Sequence, residues 1–516
     1  MTRQRRVLVL AICSMSLLLV GLDATIVNVA LPAIQGSFHS TVAGLQWTID
    51  AYTLVLASLL MLAGSTADRL GRRRVFQTGL ALFSLGSLLC ALAPSLDLLV
   101  AFRVVQAMGG AMLSPVAMSI VRNVFEDPRE RAQAIGVFAS MFGISMALGP
   151  VLGGFLVSAI SWRAIFLVNV PVGLAAIALT ALFVPESRAP RPRRIDPVGQ
   201  VLVITALATL TYAIIEGGRV GFDAVAIVIL LALALGSFAA LVLYELRRRE
   251  PLLEVRFFAS APFAGASAIA VCLSAALGGF LFMNTLYLQD VRGLSPLQTG
   301  LAMLPTAMMI VVFAPLSGRL IGRFGARPSM VAGGLAVTAS GLMLSGLAPG
   351  TSLPFLLAAY AVFGFGFALV SPPIANTAVS GMPPAQAGVA AAVATTSRQV
   401  GITLGVAVFG AVAGAGLGGG LGPGFVHATR PGWWIVAALG LTVAALGYLT
   451  TSGWARETAR RTAERLEEPD LREGEQLDHG RVARCGAQTA VAGDKRHLQS
   501  LGKRDEGCVV RGQVVA

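Results

Sequence analysis

Charge is the scarcest ingredient of this chain. Only 13% of its 516 residues are Asp, Glu, Lys or Arg, about half the share of a soluble globular domain. Lysine is almost missing, with Lys495 and Lys503 set against 37 arginines. Cysteine is sparse as well. Cys13, Cys90, Cys272, Cys485 and Cys508 share no metal-ligand or redox spacing, and the three in apolar runs read as packing residues. No GxxxxGK[ST] loop occurs, so ATP is not the visible energy source. These absences leave no enzyme site, metal or cofactor to argue for. What is present is 55% hydrophobic, the composition of a polytopic all-α membrane protein.

Runs of about 20 apolar residues fall near 7–30, 45–65, 75–93, 98–121, 133–157, 164–184, 198–216, 222–244, 262–287, 298–318, 328–347, 351–373, 387–415 and 433–453, fourteen in all. The first is too long for a signal-peptide core and has no small-residue cleavage site after it, so it reads as a retained span. Residues 1–455 hold 27 arginines against 15 acids, whereas the tail is nearly balanced. The positive excess therefore reports membrane orientation and not nucleic-acid binding. Alternating segments on one side collect 21 arginines, among them Arg191, Arg193, Arg194 and Arg249. The other side has only Arg163, Arg219, Arg292 and Arg430. Arginine accumulates on the cytoplasmic side, which places both termini there.

An internal repeat divides the spans. GSTADRLGRRR at 64–74 returns as GRLIGRFGARP at 318–328, and Gly322 stands in the copy where Asp68 stands in the original. Duplicated six-helix halves are the building blocks of rocking transporters. The expected organisation is a six-helix bundle over 1–185, two extra helices with basic linkers over 186–257, a second bundle over 258–455, and a partly disordered tail over 456–516. That tail opens with a charge-mixed stretch suited to a short helix.

Within this greasy framework a few residues carry chemistry. Asp23 lies sixteen residues into the first run, where a carboxylate costs roughly 3 kcal/mol on insertion scales. Such groups bind ions or relay protons. Arg103 enters the fourth run from the same side, about 8 Å deep, and Asp23 lies about 10 Å deep at the helical rise, so the two can pair. Asp50 either joins them or sits at the membrane interface. Gly149, Gly153 and Gly154 fall near one helix face and permit close helix approach, while Pro150 invites a bend. Arg398 is a second intramembrane cation that can snorkel; Glu216 and Asp290 read as interface residues. The C-terminal half holds no clear midplane carboxylate. Substrate contacts there would fall to Phe282, Met283, Asn284 and Tyr287, although the same residues also read as core packing.

Taken in order, these strings resemble the major facilitator superfamily over about residues 1–455, and within it the 14-span drug:proton antiporter branch (the EmrB/QacA type). The resemblance implies two pseudo-symmetric six-helix bundles plus two extra transmembrane helices. The 64–74 loop is similar to the superfamily's signature, a conformational latch here formed by Gly64, Asp68, Arg69, Gly71, Arg72 and Arg73. LDATIVNVALP (22–32) resembles the branch motif whose acid, here Asp23, couples protons, and LVAFRVVQAMGG (99–110) the motif whose buried arginine serves proton transfer. GISMALGPVLGG resembles the antiporter motif, with Gly143, Gly149, Pro150, Gly153 and Gly154. WRAIFLVNVP (162–171) and SRQVGITLG (397–405) also look like this branch. The implied activity is proton-coupled export of hydrophobic or amphipathic drugs or antibiotics across a bacterial cytoplasmic membrane by a monomer. A proton symporter or facilitator for a small organic solute, or an exporter of an endogenous metabolite, is the alternative.

Overall fold

In a membrane there is no water to satisfy exposed peptide groups, so a spanning segment must close its hydrogen bonds internally. Fourteen helices of the computed structural model are long and apolar enough to cross. The structure describes residues 1–189, 195–248, 251–380, 382, 386–415 and 424–466. Arg191, Arg193, Arg194, Arg249 and the tail beyond 466 lie outside the described residues.

The helices are α1 (Arg3–Phe38), α2 (Val42–Leu70), α3 (Arg72–Ala91), α4 (Leu96–Val124), α5 (Arg129–Ala159), α6 (Ala164–Phe183) and α7 (Pro197–Val220). They continue as α8 (Val225–Leu246), α9 (Ala261–Val291), α10 (Pro296–Phe324), α11 (Ala326–Ser345), α12 (Leu353–Val379), α13 (Val389–Gly414) and α14 (Phe425–Thr450). Several of their starts are set by short polar side chains that accept from orphan amides. Thr41 caps α2, Ser95 caps α4, and Ser295 forms a reciprocal capping box with Gln298 at α10. Residues Met1–Ala463 form one unit and Glu464–Ala516 another. In the first, residues 453–463 are helical, and Thr458 Oγ1 accepts from Ala261 N at the start of α9.

The packing repeats with an offset of eight helices. α1 packs on α5, α2 on α4, and α3 on α4 and α6; likewise α9 packs on α13, α10 on α12, and α11 on α12 and α14. The chain is therefore two pseudo-symmetric six-helix bundles with α7 and α8 inserted between them. The sequence repeat falls on matching corners. Gly71 (φ 114°) turns α2 into α3, and Gly325 (φ 77°) turns α10 into α11; both are conformations that a side chain resists.

The helix ends alternate between an arginine-rich face and a far face. Hydrogen bonds join the bundles at the far face and the middle. Gln46 Nε2 on α2 donates to Val406 O and Ala407 O on α13 at 3.2 and 2.8 Å, and Thr403 Oγ1 to Thr53 Oγ1 at 2.9 Å. Gln289 Nε2 donates to Val29 O at 2.9 Å, and Leu297 N to Ser158 Oγ at 3.3 Å.

The α5/α10 seam widens toward the arginine-rich face. A Cβ on Gly154 would lie 2.4 Å from Pro296 O, and one on Gly300 would lie 2.2 Å from Pro150 O. Farther along the same α5 face, a Cβ on Gly143 would meet Val311 only at 4.0 Å, and one on Gly136 would meet nothing within 4 Å. The far face is shut here. Gly149 and Gly153 do not share the Gly154 face: Cβ atoms there would strike Thr25 and Ile26 of α1. α5 is thus pinned on one side to its own bundle and on the other to its partner bundle.

Overpacking a filled contact costs about 1–3 kcal/mol, so Gly300→Leu should shift the closed far face toward open by roughly tenfold or more. In a cysteine-free background, a Ser158→Cys/Leu297→Cys pair should cross-link readily, and adding Gly300→Leu should lower the cross-linked fraction. Unchanged cross-linking would remove the seam from the account.

Candidate functional site

A carboxylate and a guanidinium survive in hydrocarbon only if their lone pairs and N–H groups find partners. Asp23 and Arg103 do so in the N-terminal bundle. Arg103 Nη1 stands 2.5 Å from Asp23 Oδ2, with the two side chains 1% and 0% exposed. The same nitrogen donates to Gln106 Oε1 at 2.7 Å, and Arg103 Nε donates to Thr48 O at 3.1 Å. Asp23 Oδ1 accepts from Gln106 Nε2 at 2.7 Å and from Asn169 Nδ2 at 3.2 Å. Ser87 Oγ accepts from Gln106 Nε2 at 2.8 Å and donates to Phe83 O. The guanidinium lies 4.1 Å from the Tyr52 ring centroid and 5.7 Å from that of Phe166, a cation–π cradle. α1, α2, α3, α4 and α6 all contribute.

This network can exchange a proton without dismantling itself. If Asp23 takes up a proton, Arg103 loses its counter-ion but keeps Gln106 Oε1, Thr48 O and the Tyr52 face. Asn169 Oδ1 and the Tyr52 hydroxyl are buried without a hydrogen-bond partner, which leaves one acceptor and one hydroxyl in reserve beside the pair.

Gln106 and Asn169 were not singled out by the sequence, although both lie inside quoted strings. Gln106 follows Arg103 by three residues, hence on the same helix face, and that spacing was the available signal. Ser87 carries no signal, since serine in a helix ordinarily bonds back to its own carbonyls.

Asp50 fits neither sequence alternative. It is 0% exposed, and its contact is Thr53 Oγ1 at 3.4 Å, while its Oδ2 has no hydrogen-bond partner. It lies on α2 between Gln46 and Thr53, the two residues that bond to α13, in the seal between the bundles.

The 64–74 corner is tied within the N-terminal bundle. Asp68 Oδ1 accepts from Arg72 Nη2 at 2.9 Å and from Arg72 Nε at 3.1 Å. The segment after α6 docks on the corner. Ala189 N donates to Asp68 O, Arg72 N to Ser187 O, and Arg73 N to Glu186 Oε1, with Arg74 3.7 Å from the same carboxylate. Glu186 was read only as linker. Arg69 is exposed, and Gly64 lies on α2 against Pro115 of α4.

Phe282, Met283, Asn284 and Tyr287 fall on the packing side of their two readings, at 0–1% exposure. Asn284 Oδ1 accepts from the Tyr360 hydroxyl at 2.7 Å, and Tyr287 donates to Ala348 O. Phe280 stacks on Phe363 at 4.1 Å and meets Trp433 edge-on. These groups come from α9, α12 and α14, the counterparts of α1, α4 and α6, so one bundle holds charge where the other holds aromatic rings. Arg398 is half-buried, and its Nη2 donates to Ser371 O of α12 at 3.0 Å. Glu216 pairs with Arg219, and Asp290 is exposed.

Known proteins resemble this chain over most of its length. The multidrug resistance protein Stp of Mycobacterium tuberculosis is 38% identical over 399 residues, covering 77% of this chain and 74% of Stp. The tetracenomycin C resistance and export protein of Streptomyces glaucescens is 36% identical over 392 residues, covering 76% of this chain and 73% of its own. A bacterial homologue of the human lysosomal transporter Spinster, solved in an inward-facing and unoccupied conformation, superposes with a TM-score of 0.62 at 18% identity, over 90% of this chain and 99% of that one. The model of the Major Facilitator Superfamily matches residues 13–406, and with fourteen spans in two repeated bundles the chain belongs to that superfamily.

Proposed function

We propose that this transporter exports hydrophobic or amphipathic drugs or antibiotics from the cytoplasm in exchange for protons. The observation that carries the reading is the Asp23–Arg103 pair, buried at 0% and 1% exposure with neutral amides filling the remaining valences. The relatives named for multidrug resistance and for tetracenomycin C resistance and export support the substrate class. Asp23 is the proton carrier. Arg103 holds its ionised form and favours proton release, and Gln106 and Asn169 keep the carboxylate solvated by protein when the guanidinium shifts. Asp50, in the α2/α13 seal, is a second carboxyl whose environment changes when the bundles part.

The arginine-rich face is cytoplasmic by the arginine bias, so a seam shut at the far face and widening toward the arginine-rich face is an inward-open arrangement. Export proceeds by substrate entry from that side, bundle rocking, and release outside while Asp23 takes up a proton. Each proton returning through the field supplies about 2.3 kcal/mol per 100 mV. The 64–74 corner is the latch. Asp68 bonds to Arg72 in the arrangement seen here, and rocking would exchange that partner for the opposite bundle. The protein works as a monomer.

Asp23→Asn should reduce export driven by an imposed pH gradient to the level of empty vesicles, while substrate counterflow without a gradient persists. Full gradient-driven export by that variant would sink the reading, and substrate-evoked alkalinisation of the outside medium would favour symport instead. Asp68→Asn should lower turnover by roughly tenfold or more, about 1.4 kcal/mol or above on the rocking barrier, with substrate affinity in detergent unchanged. An unaltered export rate would dismiss the latch role.

A further inference from the structure

The extra helices carry two buried acids that the export cycle leaves unused. Asp196 caps α7, its Oδ1 accepting from Gly199 N at 3.0 Å and from the Tyr244 hydroxyl at 3.3 Å. Its Oδ2 has Arg248 Nε at 3.3 Å, an ion-pair distance without hydrogen-bond geometry. Glu245, in the last turn of α8, accepts from Leu252 N through Oε2 at 2.9 Å, while its Oε1 has no hydrogen-bond partner. Both residues are 2% exposed. Both oxygens lie beside one glycine: a Cβ on Gly199 would stand 2.4 Å from Glu245 Oε1 and 2.9 Å from Asp196 Oδ2.

The surrounding described groups do not balance two negative charges. These are Tyr244 of α8 and Arg248 just beyond its end, which hydrogen-bond to each other. Glu254 and Arg256, in the segment after α8, pair with each other at 3.9 Å. Toward α2 the contact is neutral, Gln200 Nε2 to Ser58 O at 2.7 Å. Two buried carboxylates thus face one arginine among the described residues. An ionised carboxylate with an orphan oxygen is penalised by burial, and a like charge alongside adds to that penalty.

We propose that Glu245 and Asp196 hold one proton between them, carried on Glu245 Oε1 and donated to Asp196 Oδ2, so that the root of the extra helix pair is a proton-binding site separate from Asp23. A single proton repairs both orphan atoms, because a protonated carboxyl is a donor and an ionised one an acceptor. Losing the proton leaves both oxygens again without a hydrogen bond. Gln200 lies one turn beyond Asp196 and fastens α7 to α2, so the site sits where the extra pair is anchored to the first bundle.

Infrared difference spectroscopy of the full-length protein in lipid, titrated with pH, reads the C=O stretch of a protonated carboxyl. The wild type should show such a band, and it should persist in Asp23→Asn. Glu245→Gln should remove it. Asp196→Asn removes the like charge and frees Arg248 for Glu245, so the band should vanish at a pH lower by about one unit or more. An unchanged band in Glu245→Gln overturns the proposal. If that variant does not assemble, Asp196→Asn decides, and an unshifted titration overturns it. Export that survives in Asp23→Asn overturns the transport reading alone and leaves this site standing.

Discussion

Asp23 and Arg103 are opposite charges that neither partner can carry alone in hydrocarbon, and most of the N-terminal bundle is arranged around that fact. Removing one member of a buried pair costs about 3–5 kcal/mol, because the survivor is left uncompensated. The pair draws in the Thr48 carbonyl, Gln106, Ser87 and Asn169, so five of the six helices in the bundle meet at one polar knot. The sixth, α5, reaches the knot by close backbone contact, with Thr25 two residues beyond Asp23 crowding Gly149. In the C-terminal bundle three of the corresponding helices, α9, α12 and α14, meet instead through Phe280, Tyr360, Phe363 and Trp433. The duplicated scaffold has become chemically unequal. One half holds a buried ion pair at its centre, and the other holds packed aromatic rings.

Glycine decides where the two halves touch. Without a hydrophobic drive between helices in lipid, association depends on close packing of small residues. Gly154 and Gly300 supply it reciprocally at the α5/α10 crossing, and Gly410 makes room for the Gln46 side chain at the α2/α13 crossing. Both crossings lie toward the far face. The α5/α10 crossing sets backbone against backbone, whereas the α2/α13 crossing also carries the buried Gln46 hydrogen bonds.

Much of this was legible beforehand, for identifiable reasons. Span number followed from hydropathy, and the repeat at 64–74 and 318–328 located the two corners because a positive φ demands glycine at both. Asp23 stood out because its insertion cost is large, and helical rise put Arg103 at matching depth. Gln106, Asn169 and Ser87 stayed hidden because neutral polar residues carry little insertion cost and their partners lie on other helices. Gly154 was assigned the wrong face because helical spacing cannot say which of two neighbours α5 would meet. Asp50 and the Phe282–Tyr287 stretch could not be placed, since a midplane residue may face a seal, a cavity or a core with the same pattern.

Helix α7 touches both bundles. Gln200 is hydrogen-bonded to Ser58 of α2 near one end, and Gly218 lies against Ala411 of α13 near the other. Eighteen residues of helix, about 27 Å at the helical rise, therefore connect the two bundles. The directional amide bond at Gln200 resists sliding, whereas the smooth glycine–alanine contact does not. The extra pair is thus hydrogen-bonded to the first bundle through Gln200 and packed smoothly against α13 of the second.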